Sequence, residues 1–396
     1  MHSIHHANCA PWHTERLVYA AECQFVVMDK KIKTSKPPLT KRPTALRLGF
    51  VPLTDCAPLV MAETLGLFAK HGLVVELKRE LGWATIRDKI IYGELEAAQA
   101  VAGMPFAATF GLGSIACECV TGLVLSLHGN AITLAQSLWA EGVRDGKSLR
   151  QKIVGLRGRK TFTFGVVFPF SSHNFLLRQW LVAADIQPDR DVRLVVVPPQ
   201  QMFANLKAGH LDGYCVGEPW NSVAVHHRIG WCVATSVELA PGHPEKVLLV
   251  RRRFAEARAQ EHLALIAALY EACAYCDRPE NTDRIIKTLA LPQYLNTPAA
   301  LLGSSLRGSF NFGCGRVENT PDFHIFHRQN ANEPSLEKSV WIMRLMLASG
   351  LVPDRSLAQS AAAQQIFRPD IFRQAQRLIK KSQHQEHETE TKLITA

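Results

Sequence analysis

The sequence contains no run of roughly 18 consecutive apolar residues, the length a membrane-crossing helix needs, so no membrane insertion is expected. Residues 1–45 also lack a basic start leading into about 7 to 15 apolar residues, the pattern of a secretory signal. The apolar runs there, LVYAA and FVVM, are too short, and no twin-arginine pair opens the chain. The expected location is the cytoplasm, or the periplasm if the true start encodes a signal peptide. Ten cysteines in 396 residues are too few for a disulfide scaffold. Cys215, Cys232 and Cys273 fall in apolar periodic segments, which suits buried thiols. Cys273 and Cys276 have metal-like spacing but no second pair nearby, and Cys117 and Cys119 have no His/Cys cluster to join, so neither a metal nor a cofactor is expected. Enzymatic signatures are missing as well: there is no G-x-S-x-G, no H-E-x-x-H and no G-x-x-x-x-G-K-[ST]. Gly111, Gly113 and Ala116 imitate a dinucleotide turn only weakly, because no ribose-binding acid is well placed. A binding protein, not an enzyme, is the expectation.

What is present is material for two lobes. A chain of 396 residues exceeds the size at which one hydrophobic core stops growing, and 47% apolar with 20% charged residues is a globular composition. Lys and Arg exceed Asp and Glu by 45 to 35, a net charge of +10 that favours anionic partners. The one dense basic run, Lys30, Lys31, Lys33, Lys36, Lys41 and Arg42, precedes the first expected strand and reads as a solvated linker, so no direct nucleic-acid contact is expected. His2, His5, His6 and His13 read as part of a loose polar extension and not as a metal site.

From Leu46 onward, short β-rich runs alternate with amphipathic helices, the pattern of parallel sheets flanked by helices. Strands are expected at 46–52, 73–79 and 122–130, with helices at 57–72, closed by Gly72, and at 84–94. A second series follows: strands at 161–169, 192–199 and 213–219, helices at 173–186 and 198–211, then strands at 231–236 and 245–253. Long helices are expected at 254–277 and 339–351, and a polar tail closes the chain. The expected organisation is a disordered extension at 1–45, a first lobe at 46–136 and 247–378, a second lobe at 137–246, and a disordered tail at 379–396.

In such sheets the loops beyond the strand carboxyl ends face the ligand crevice. Four of these exits are unusually polar: VPLTDCAP (51–58), GWATIRD (82–88), LHGNAIT (127–133) and GEPWNS (217–222). Trp83 opens a helix beside Gly82, where an indole N–H and backbone N–H groups can point at an anion, although large aromatics more often serve cores and interfaces. Asn130 follows Gly129 in a turn that Asn also favours for backbone reasons. His173 follows Ser171 and Ser172 at a helix start, with Ser172 the expected N-cap. Gly217, a further candidate, precedes the strand-to-helix corner of Glu218, Pro219 and Trp220, where a carboxylate would repel an anion unless it organises a cation or an interlobe contact. Lys246 is the available cation near a strand start.

The run FVPLTDCAPLVMAETLGLFAKHGLVVEL, with GWATIRDKIIYGELEAAQAVAGMP, LHGNAITL, VVFPFSSHNFLLRQWLVAADI, DGYCVGEPWNS and GHPEKVLLV, resembles the nitrate- and bicarbonate-binding solute receptors of ABC importers, the NrtA- and CmpA-like family. The likeness spans about residues 46 to 375. It looks most like the branch of the cytoplasmic nitrate sensor NasS, which controls an RNA-binding antiterminator of the NasT type. The resemblance implies an α/β, type II periplasmic-binding-protein-like fold, with two α/β lobes joined by a hinge and the ligand in the interlobe cleft. It makes Trp83 a wall and donor of the pocket, Asn130 an amide ligand, and His173 a further pocket residue; Lys246 falls where nitrate receptors have lysine and bicarbonate receptors have glutamate. It implies nitrate or nitrite as ligand, with the antiterminator as partner in the sensor reading and an ABC permease as partner in the importer alternative. A pyridoxal-phosphate-binding, pyrimidine-synthesising relative of the same fold would need a dedicated lysine and a cysteine-rich iron motif, which the scattered cysteines do not supply.

Overall fold

The computed structural model describes residues 45–352 and 355–380. The N-terminal histidines, the basic run and most of the polar tail lie outside the described residues. Along the chain the strands are β1 (Leu46–Phe50), β2 (Val75–Arg79), β3 (Ala97–Val101), β4 (Cys119–Val120), β5 (Val124–His128), β6 (Asn130–Ala135), β7 (Thr163–Val166), β8 (Arg193–Val196), β9 (Gly213–Gly217), β10 (Gly230–Thr235), β11 (Pro244–Arg251), β12 (Ser309–Gly313), β13 (Arg316–Asn319) and β14 (His324–Ile325). They form a seven-stranded sheet in the order β14-β5-β11-β3-β1-β2, with β4 on β11, and a five-stranded sheet in the order β10-β6-β9-β7-β8. Strands β1, β2 and β3 are parallel, as are β7, β8 and β9, which fits the helical crossovers between them.

The helices Ala57–Thr64 and Ala259–Cys276 pack on the first sheet around a core that includes Leu48, Phe50, Leu248 and Leu269. The second sheet has its own core around Phe162, Phe164, Leu177 and Trp231. A third cluster joins the lobes, with Val51, Leu53 and Trp83 from the first meeting Phe168, Phe170 and Val216 from the second. Burial of these side chains, each worth about 1.5–3 kcal/mol, holds the two lobes closed upon each other.

Several elements differ from expectation, three of them for a local reason. The helix expected at 57–72 breaks into Ala57–Thr64 and Leu67–Lys70, because Gly66 takes a left-handed φ of 70°. The expected helix at 254–277 splits at Arg258. The central strand β3, with the sequence AAQAV, carries only one β-branched residue, and no strand signal marked it.

The crossing between sheets comes earlier than the boundary after 136. The strand expected over 122–130 is two strands of different sheets, broken at Gly129, and the chain returns between Thr235 and Pro244. His128 has φ 59° and Gly129 φ 98°, which together swing the chain from β5 into β6. A Cβ on Gly129 would lie 2.6 Å from His324 Cε1 and Nδ1. The Gly129→Ala variant is expected to lose about 2 to 5 kcal/mol of stability, from left-handed strain plus overpacking, read as a lowered urea midpoint at unchanged slope.

Candidate functional site

The exit of β1, the middle of β3 and the start of β11, all inner strands of the first sheet, bring Asp55, Gln99, Glu245 and Lys246 together, and every one of them is buried. Lys246 Nζ lies 2.8 Å from Asp55 Oδ2 and 2.6 Å from Glu245 Oε1. Burial works against its charge, but the two carboxylates more than offset this and raise its pKa above the ordinary lysine value. Its ammonium also sits 5.3 Å from the centre of the Trp83 ring, a cation–π contact. Burial pushes the Asp55 carboxyl up, with Lys246 pulling the other way. Val51 N–H donates to Gln99 Oε1 at 3.3 Å and so turns Gln99 Nε2 to donate to Asp55 Oδ1 at 2.6 Å, while Asp55 Oδ2 faces the Lys246 ammonium. Burial opposes ionisation of Glu245 too, but the Lys246 ammonium beside it holds it well below the ordinary carboxylate range.

Glu245 is also where the second lobe meets the first. Asn130 Nδ2 donates to Glu245 Oε2 at 2.6 Å, and Ser172 Oγ donates to the same oxygen. His173 Nδ1 stands 3.6 Å from Oε1, and His243 Nε2 3.4 Å from Oε2. Because the carboxylate takes the Asn130 amine, Asn130 Oδ1 is left facing Gly217, where a Cβ would lie 3.5 Å from it and 3.6 Å from Asp55 Oδ2. Gly217 thus keeps space open beside the amide. Several polar atoms of this buried cluster have no hydrogen-bond partner in the protein, among them Trp83 Nε1, Asn130 Oδ1, both ring nitrogens of His173 and His243 Nε2. Orphaned donors and acceptors of this kind mark a place built for a small polar ligand.

Of the six residues singled out from sequence, Trp83, Asn130, His173, Gly217 and Lys246 converge on this cluster. The carboxyl of Glu218 does not join it. It turns into the second lobe, accepts from Ser222 N–H at 3.3 Å, and is pushed up to about 7 by burial. Its backbone carbonyl instead accepts from Thr54 N–H of the first lobe at 2.8 Å, an interlobe contact. Ser171, not Ser172, caps the helix Ser172–Ala183, its Oγ accepting from Asn174 N–H; this frees Ser172 to reach Glu245. Cys273 and Cys276 are buried free thiols, and among the described residues no group of three or more His, Cys, Asp or Glu side chains could hold a metal ion.

Residues 40–290 match the sequence profile of the NMT1-like family. The chain belongs to the NMT1-like family. It is 32% identical to the nitrate/nitrite binding protein NrtA of Synechococcus elongatus, over 85% of this chain and 78% of that protein. It is 43% identical to the bicarbonate transport ATP-binding protein CmpC of Synechocystis sp., over 78% of this chain but 46% of that protein, so the chain spans about half the length of such ATP-binding relatives. The crystal structure of the periplasmic nitrate-binding protein NrtA from Synechocystis PCC 6803 superposes with a TM-score of 0.81 at 27% identity, covering 85% of this chain and 89% of that one. The fold is accordingly the type II periplasmic-binding-protein-like fold that the resemblance implied, and the named relatives are binding and transport proteins. No helix among the described residues is long and apolar enough to cross a membrane.

Sequence reasoning missed Asp55, Gln99, His243 and Glu245. Asp55 sits in a polar strand exit already marked, but nothing local distinguished it from a turn aspartate. Glu245 was hidden by strand alternation, which puts neighbours on opposite faces, so choosing Lys246 set its neighbour aside. The register of β11 against β5 shifts between Pro244 and Lys246, and this irregularity brings the two side chains to the same end of the crevice.

Two outcomes follow. Lys246→Met removes the only cation between two buried carboxylates and is expected to cost about 3–5 kcal/mol, with the Asp55→Asn, Lys246→Met double variant recovering part of it in urea unfolding. His128, His173 and His324 are held neutral by burial, at about 4, 3 and 3, against the ordinary 6.5. The unfolded chain takes up protons at these sites that the folded chain refuses. Their contribution is thus full above pH 6.5 and is lost as pH falls towards those values. Unfolding free energy measured against pH should show that loss, and His324→Phe should make the acid limb shallower.

Proposed function

We propose that the chain is a receptor for a small planar oxyanion, with nitrate or nitrite as its ligand, held between Trp83, Asn130, His173 and the Gly217 backbone. The observation that carries this reading is the set of unpartnered polar atoms gathered where the two lobes meet, on the residues that the family likeness assigns to the pocket. The ammonium of Lys246 supplies attraction, and the indole N–H and the imidazole supply donors that nitrate, which can only accept, requires. The names of the nitrate-binding relatives support the same ligand class.

On the likeness to the sensor branch, the receptor is cytoplasmic and reports its ligand: closure of the lobes selects whether an antiterminator protein binds. In the importer alternative the same cleft is periplasmic and hands its ligand to an ABC permease. Co-purification of an antiterminator, released by nitrate, separates the first from the second.

A second ligand is favoured by one feature. Asn130 Oδ1 and the Glu245 carboxylate are both acceptors, and an oxyanion carrying its own hydroxyl, such as bicarbonate, can donate to them whereas nitrate cannot. Calorimetry with nitrate, nitrite and bicarbonate decides between them. Nitrate or nitrite binding that falls about five- to tenfold in Trp83→Phe, which keeps the ring and removes the N–H, is the expected result. Binding of bicarbonate alone, abolished in Glu245→Gln, would replace the leading ligand by the second.

A further inference from the structure

Nitrate can only accept hydrogen bonds, so a site for it must turn donors towards its ligand. The second lobe brings two such donors to the crevice. Asn130 opens β6, where it pairs with Gly217 and its backbone N–H donates to Ser236 Oγ at 3.1 Å. Ser172 opens the helix Ser172–Ala183, and its hydroxyl is not needed for capping because Ser171 caps that helix. The backbone at both positions is fixed within the second lobe, while the amide and the hydroxyl reach across to the first.

Both donors are already committed there. Asn130 Nδ2 donates to Glu245 Oε2 at 2.6 Å, and Ser172 Oγ donates to the same oxygen. The other carboxylate oxygen, Oε1, takes the Lys246 ammonium at 2.6 Å. Glu245 is fully buried on β11 of the first sheet, and its bonds to the second lobe join residues 115 and 73 positions apart in the chain. A carboxylate has no hydrogen to give, so the end of the Asn130 amide that meets it must be the amine. The acceptor Oδ1 is what remains beside Gly217, and it has no partner. An ion that can only accept therefore meets an acceptor. It gains the Asn130 amine and the Ser172 hydroxyl only if Glu245 gives them up.

A carboxylate is itself a planar oxyanion, and hydrogen bonds to a charged acceptor are the stronger kind. Glu245 belongs to the first lobe and two of its donors belong to the second. It thus makes the same bridge that a ligand held in the crevice would make.

Resting on the oxyanion-receptor reading above, we propose that Glu245 is a built-in rival of the ligand: its carboxylate holds Asn130 and Ser172, draws the lobes together by itself, and is displaced from those donors by the incoming oxyanion. Binding is then an exchange of one planar anion for another. The strength of the bonds that Glu245 makes sets which oxyanions can enter.

Small-angle X-ray scattering of the full chain and of Glu245→Ala, both in buffer without small oxyanions, tests the bridge. The variant keeps Lys246 paired with Asp55 and should show the larger radius of gyration. Acetate, which matches the methylene and carboxylate removed, should restore the smaller value in the variant and leave the unsubstituted chain unchanged. A variant as compact as the unsubstituted chain overturns the proposal, and so does one that acetate fails to recompact. Calorimetry tests the rivalry and decides alone if Glu245→Ala does not fold. Glu245→Gln keeps the volume and loses the charge, and it should bind nitrate about tenfold more tightly than the unsubstituted chain. Nitrate that binds both equally overturns the proposal while leaving the receptor reading intact. Bicarbonate binding that is lost in Glu245→Gln makes Glu245 a partner of the ligand and overturns it too. If no oxyanion binds either chain, the receptor reading falls and this proposal falls with it.

Discussion

Lys246 lies between Asp55 and Glu245 with no solvent contact, and the rest of the site is arranged around satisfying those three charges. Removing any of them from water costs several kcal/mol, recovered only when every lone pair and proton has a partner. Asp55 is completed by Gln99, which is oriented in turn by the backbone of Val51. Glu245 is completed from the other lobe, by Asn130 and Ser172. The carboxylate of one lobe thus depends on donors of the other, and closure is tied to electrostatics as well as to the apolar cluster that joins Leu53 and Trp83 to Phe168 and Val216.

That dependence explains the polarity of the crevice. Once Glu245 takes the amine of Asn130, the amide oxygen is left beside Gly217; once Ser171 caps its helix, Ser172 is free to bridge the lobes. A ligand entering here meets one indole N–H, one imidazole and one amide oxygen, against a background in which the only cation is shared by two anions. On the proposed receptor reading, selectivity among oxyanions would rest on where protons sit more than on shape, since nitrate and bicarbonate are alike in size and differ in the ability to donate.

The alternation of strands and helices was legible because a parallel sheet buried on both faces writes itself as short β-rich runs, as in LRLGF and TFTFGVV. The central strand AAQAV escaped notice because alanine carries no strand signal; burial between neighbours, not propensity, makes it a strand. The join of β5 to β6 escaped because VLSLHGNAITLA reads as two runs around a turn, and only the pairing of Asn130 with Gly217 shows that its halves belong to different sheets.

Trp83, Asn130, His173, Gly217 and Lys246 could be picked from the chain because each stands at a polar strand exit in a run resembling one family. Glu218 was picked on the same grounds, but its carboxyl faces away, since a strand-to-helix corner does not reveal which side of it looks into the crevice. The sequence by itself determined the two-lobed α/β fold and marked the polar strand ends that carry the candidate site residues, because hydrophobic period and turn residues are local properties. Only the tertiary structure decided that Lys246 is already paired, that Glu245 faces the second lobe and that His243 stands against it. Those facts depend on the meeting of strands from opposite lobes and on one irregularity in β11, and no local pattern records either.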